Sequence, residues 1–217
     1  MANKHLMELY SLSNEIERSQ GMSWYEDARN FCCSVAATHA IPLEPVVAVV
    51  SLLSPRNKWD RNKLDAETLI AAEKKGDPLE SVTVATFNGN RQRAWDLLKL
   101  GKFNPDKIFK GQKTRAFYDN LIDPDSDRVT VDTWAARAAY NTKANWMRSI
   151  GIREYRRLEA QYKTVAKAVK IKPYQLQAVV WVCIRNRLLG LTSHASVEKV
   201  LAQEEETQYT ERQLCLS

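Results

Sequence analysis

Gly111-Gln-Lys-Thr-Arg-Ala-Phe-Tyr-Asp-Asn-Leu-Ile-Asp-Pro-Asp-Ser-Asp-Arg-Val-Thr-Val-Asp-Thr-Trp134 is the stretch on which the reading of this chain turns. Lys113 stands just ahead of Ala116, Phe117, Leu121 and Ile122, whose spacing is helical, so it belongs to the first turn of a helix opened by a glycine turn. The free N–H groups of a first turn favour anions and disfavour an ammonium, and an amine attacks only in its neutral form. Val129, Thr130 and Val131 alternate in the manner of a short extended segment, and Asp132 is the natural N-cap of a helix from Thr133 to Tyr140. Lysine and aspartate lie 132 − 113 = 19 residues apart, at two helix N-termini. A nucleophilic amine beside a carboxylate is a workable covalent site. Read singly, Lys113 is a solvated lysine and Asp132 only a cap.

The rest of the chain supplies helices around this stretch. Leu6 to Arg18 predicts an opening helix, and Ser23 to Glu26 has the form of a capping box starting a second one that ends near Ala40. Pro42 to Leu53 is almost wholly apolar and is read as a buried helix between Pro42 and the Ser54-Pro55 stop. A basic loop from Ser54 leads into a helix over 58–75. A connector with Pro78 and Gly89 follows, then a helix over 90–100 with Trp95, Leu97, Leu98 and Leu100 inward and Arg91 and Arg93 outward. After the central stretch come the alanine-rich helix 133–140, a loop holding Trp146, a basic helix over 153–170 and an amphipathic helix over 173–189. From Gln203 the chain turns polar, which predicts a poorly packed tail.

Composition limits the partners. With 32 Lys+Arg against 26 Asp+Glu in 217 residues the net charge is +6, a balance suited to a polyanion. The four cysteines (Cys32, Cys33, Cys183 and Cys215) and three histidines (His5, His39 and His194) have no metal-ligand spacing, so no metal and no cofactor are expected. No window approaches 18 uninterrupted apolar residues and the start carries no apolar signal region, so a soluble, cytoplasmic protein without membrane contact is expected.

Gly111-Gln-Lys-Thr followed by Val-Thr-Val-Asp-Thr resembles the core of the helix-hairpin-helix DNA glycosylases, the endonuclease III and 8-oxoguanine glycosylase superfamily. The similarity spans roughly residues 40 to 190, with only these two motifs specific. Phe109-Lys110-Gly111 stands where the family has two glycines, and Trp134 stands where it has histidine. The four-cysteine iron–sulfur loop of some relatives is missing. The resemblance implies an all-α, two-lobed fold in one domain: residues 40–130 form a helical barrel lobe with the hairpin, 1–39 and 133–202 the second lobe, and 203–217 the tail.

It also implies a function. Lys113 would form a Schiff base with the sugar C1′ and Asp132 would stabilise the developing cation, giving a monomeric glycosylase with lyase activity on double-stranded DNA. Arg56, Asn57 and Trp59 would wedge into the helix where the base leaves, and Lys58 extends that basic loop. Lys107, Lys110, Arg115 and the amides around Gly111 would hold phosphates, with Arg91, Arg93 and Arg137 as further DNA contacts. Trp134 and Trp181 join Trp59 as candidates for the base pocket. The alternatives are a relative of the same fold that modifies an unusual base, and a helical DNA-binding protein without catalysis.

Overall fold

The computed structural model describes residues 2–141 and 149–188; the expectations for Trp146, His194, Cys215 and the polar tail lie outside these. The described residues are all-α, with no strand among them. Ten helices follow in order: α1 Ala2–Leu12, α2 Glu15–Thr38, α3 Leu43–Leu53, α4 Trp59–Lys75, α5 Asn88–Leu100, α6 Pro105–Ile108, α7 Gln112–Ile122, α8 Thr133–Tyr140, α9 Ile152–Val169 and α10 Pro173–Leu188. A single 3-10 turn, Leu79–Ser81, interrupts the connector between α4 and α5.

The first helices divide differently from the sequence expectation. Asn14, not Ser23, caps α2: its Oδ1 accepts the Glu17 N–H at 2.8 Å and the Glu17 carboxylate accepts the Asn14 N–H at 3.0 Å. Helix α2 then runs unbroken through Gly21, while Ser23 Oγ merely donates to Asp27 Oδ2 at 2.8 Å on the helix surface. Glycine inside a helix costs about 1 kcal/mol against alanine. Here the neighbour requires it, because a Cβ on Gly21 would stand 2.4 Å from the Val179 Cα of α10.

Helix α3 is the apolar stretch after Pro42, and every residue from Pro45 to Leu53 is buried. Each aliphatic side chain taken wholly out of water contributes about 1.5–3 kcal/mol, which explains why this segment lies at the centre. Around it gathers a cluster with Tyr25, Cys32, Leu69, Ile70, Trp95 and Phe117. A second cluster gathers Leu6, Ala116, Val129, Val131, the alanines of α8, and Leu158 and Tyr162 of α9. Helix α10 serves both, with Tyr174 and Ala178 in the first and Leu176 and Val180 in the second. Leu100, expected inward, is 70% exposed, because α5 ends in left-handed Gly101 just past it.

Candidate active site

Asn104 caps α6, its Oδ1 accepting the Asp106 N–H at 2.9 Å, and after Phe109, Lys110 and Gly111 the chain enters α7. Buried Phe109 lies against Tyr118 of α7, ring centroids 5.0 Å apart, and this contact folds the two helices together. Gly111 has φ −112° and ψ 142°, an extended conformation open to any residue. A Cβ there would meet only Thr114 Oγ1, at 3.6 Å, so the expected glycine turn is an ordinary helix entry.

Lys113 occupies the first turn of α7, half-buried, with no side-chain hydrogen bond or ion pair among the described residues. Ala116, three residues further along α7, is buried in the second cluster together with Val131, Ala135 and Ala136. Asp132 stands among those residues as the N-cap of α8, its Oδ1 accepting the Ala135 N–H at 2.8 Å. The second carboxylate oxygen makes no hydrogen bond among the described residues.

The segment leading into Asp132 is held on every side. Tyr155 donates its hydroxyl to Val129 O at 2.6 Å and accepts the Val131 N–H at 3.1 Å. Glu159 accepts from the Val129 N–H at 3.2 Å and from Arg128 Nε at 2.9 Å. Between them Thr130 turns the other way. Asn120 Nδ2 donates to Thr130 Oγ1 at 3.2 Å, Thr130 lies 2.9 Å from the Tyr25 hydroxyl, and Tyr25 lies 2.8 Å from Gln177 Oε1. Since the Gln177 oxygen can only accept, Tyr25 must donate to it and accept from Thr130. One chain of donors thus joins α7, the extended segment, α2 and α10.

Burial pushes the Tyr162 hydroxyl well above the ordinary phenol range, and the nearby Asp132 charge pushes it further. Tyr25 is raised by burial first, opposed by its bonds with Thr130 and Asn120 and assisted by Asp132. Both remain donors at neutral pH, Tyr162 to Ala135 O at 3.0 Å. The partly buried Asp132 carboxylate thus stands beside neutral, buried hydroxyls that feel its charge.

The expected DNA contacts separate into two groups. Lys58, Lys107 and Lys110 are exposed and make no ion pair among the described residues; Arg56 is exposed, with its guanidinium over the Phe87 ring at 5.0 Å. The others have protein partners. Arg115 is ion-paired to Asp106 and to Asp119, the latter at 2.8 Å, beside a recess of about 350 Å³ lined also by Asp123, Asp125, Asp127 and Arg128. Lys172 and Lys163 pair at 2.8 Å with Asp125 and Asp127, so the cations around this recess are engaged by its carboxylates. Arg91 is not outward, because its Nη1 donates to Val82 O at 2.7 Å. Arg93 donates from Nε to Gly89 O at 3.0 Å within its own helix. Arg137 is buried and lies over the Trp134 ring at 4.7 Å. Asn57 Nδ2 donates to Asp65 Oδ2 at 2.9 Å.

Trp59 and Trp181 meet through Trp24, at 5.2 and 6.2 Å between centroids, and Trp59 reaches Phe117 at 6.4 Å, one helical turn from Lys113. All three tryptophans are only partly buried. Trp134 joins none of these ring contacts. The chain matches over residues 1–188 the group described as "Family of unknown function (DUF7178)".

The chain belongs to this family. No curated protein matches it, and no solved structure does. Among the described residues of this DUF7178 member no group of three or more His, Cys, Asp or Glu is placed to hold a metal ion, and no helix is long and apolar enough to cross a membrane. Sequence reasoning missed Asp65, a 1% exposed carboxylate that accepts from Asn57, from Arg61 Nε at 2.6 Å and from the Ala85 N–H at 2.8 Å. Its signal was available, since Asn62, Asp65 and Leu69 share one face of α4. Tyr25, Asn120 and Tyr155 had no such signal, because their partners lie 6 to 152 residues away, beyond one helical turn.

Proposed function

We propose that the chain is a DNA glycosylase with lyase activity, Lys113 its nucleophile and Asp132 its charge-stabilising carboxylate. What supports the reading is the rigid N-cap that presents Asp132, with Lys113 one turn before Ala116 in the cluster that surrounds that cap. As the C1′–N bond of an extruded nucleotide breaks, the base departs with the electron pair and a proton. Asp132 stabilises the cationic sugar, which costs little because the carboxylate is already held in place. Lys113 Nζ bonds to C1′ and gives up two protons, one passed by way of Asp132 to the departing base and one to O4′ as the ring opens, and an imine remains. β-Elimination from that imine cleaves the strand 3′ of the site.

A panel of duplexes, each bearing one damaged or modified base, tests this with borohydride present. A covalent protein–DNA adduct is expected on the cognate duplex. Lys113→Gln abolishes it while leaving binding nearly intact, because one phosphate contact among several is a small part of affinity. Asp132→Asn lowers base excision by about two or more orders of magnitude. If no duplex gives an adduct or an abasic site and both variants bind as the parent does, the chain is a DNA-binding module and not an enzyme.

A further inference from the structure

Two loops that the sequence separates by some thirty residues are braced into one surface. Thr86 Oγ1 donates to Pro55 O at 3.0 Å, immediately before Arg56 on one side and Phe87 on the other. Both loops also converge on buried Asp65, one through Asn57 Nδ2 and the other through the Ala85 N–H. Beyond this brace stand the exposed side chains: Phe87, 50% accessible, and Arg56 stacked on it. Arg56 takes φ 58°, a left-handed conformation that costs a non-glycine residue about 1 kcal/mol or more, so the brace holds it against its preference. Exposed Lys58 follows two residues later, and Phe87 opens α5 as its N-cap without a side-chain cap bond.

We propose that Phe87 and Arg56 form a stacking site for an unpaired nucleobase, Phe87 meeting the face of the base and Arg56 turning to the adjoining phosphate. A base has a π-face and an anionic tether, and this surface offers an aromatic ring among cations that matches both. The inference rests on the DNA reading above and adds to it a preference: DNA carrying an unpaired base binds better than a fully paired duplex. Base extrusion by itself also favours an unpaired base, so the assignment to this surface rests on the part of the preference that Phe87→Ala removes.

The test uses the full chain with two duplexes, one fully paired and one carrying a single bulged 2-aminopurine. Binding is followed by anisotropy and stacking by 2-aminopurine emission. The parent chain binds the bulged duplex roughly fivefold to a hundredfold more tightly and quenches the probe. Phe87→Ala removes the preference and the quench but changes affinity for the paired duplex by no more than about twofold, since an exposed side chain contributes little to folding. Phe87→Trp keeps both. Arg56→Ala weakens both duplexes alike and reduces the salt slope by about one. Equal affinity of the parent for both duplexes, or a preference that survives Phe87→Ala, overturns the stacking site while the DNA reading stands. Failure to bind either duplex overturns both.

Discussion

Replacing Asp132 by asparagine leaves an oxygen to accept the Ala135 N–H, whereas alanine leaves that donor without its side-chain partner. Asp132→Ala is therefore expected to cost about 0.5–2 kcal/mol of stability and Asp132→Asn close to none, so only the asparagine variant isolates the charge. Urea melts of the two variants check this; equal losses would mean that the carboxylate serves the fold through its charge. Cysteines offer a second contrast at this scale. Burial pushes the Cys183 thiol up to about 11 and the Cys32 thiol up to about 12, and both are buried, whereas Cys33 is exposed. In the native protein a thiol reagent should modify Cys33 rapidly and Cys32 and Cys183 only as the protein opens, which peptide mapping after brief labelling will show.

The crossing of α2 and α10 depends on one missing side chain. An added Cβ at Gly21 would meet Val179 Cα at 2.4 Å, Val179 N at 2.5 Å and Val179 Cγ2 at 2.6 Å, so two of the three clashes are with backbone. Gly21→Ala should destabilise by about 1–3 kcal/mol despite the better helix propensity of alanine. Val179→Ala removes only the Cγ2 contact and should rescue little. A melting temperature that rises in Gly21→Ala would show that the two helices can move apart at no cost. The same logic explains why the start of α2 was misplaced: glycine followed shortly by Ser23 and Glu26 has the local form of a helix beginning, and only α10 makes a helical glycine useful there.

Because α10 sends Tyr174 and Ala178 into one cluster and Leu176 and Val180 into the other, the two clusters should unfold together. Tryptophan fluorescence reports mainly the first cluster through Trp24, Trp59 and Trp95, and circular dichroism reports all helices; coincident transitions are expected, and separated ones would show two independent units. The alkaline limit is also a property of the whole network. Tyr25, Tyr155 and Tyr162 are raised above their ordinary 10.0, in each case chiefly by burial. A raised value means that folding favours the protonated hydroxyl, so this stability is complete below pH 10 and is lost as pH climbs through the folded values. Stability measured from pH 8 to 12 should fall beyond 10, and phenolate absorbance from these three should appear only with unfolding. For DNA, the exposed cations Arg56, Lys58, Lys107 and Lys110 predict affinity that weakens as salt rises, with a slope smaller than 32 basic residues suggest, because Arg91, Arg93, Arg115 and Arg137 already have protein partners.

Periodicity and caps in the sequence determined the all-α class, the buried α3, the position of Lys113 in a first turn and Asp132 as an N-cap. These are local matters, decided within about one helical turn of each residue. Tertiary structure alone decided which arginines are available to a ligand, since the Asp106 partner that Arg115 meets from the preceding helix and the Val82 carbonyl that accepts from Arg91 follow from how the chain returns on itself; the Arg115–Asp119 pair, four residues apart on α7, is a local contact. It also decided that Trp24, Trp59 and Trp181 meet, that Asp65 braces two loops, and that Thr130 is fixed by Tyr25 from a hundred residues away. A side chain's helical face is written in its neighbours along the chain; the atom it meets across the core is set by packing, which no short window of sequence contains.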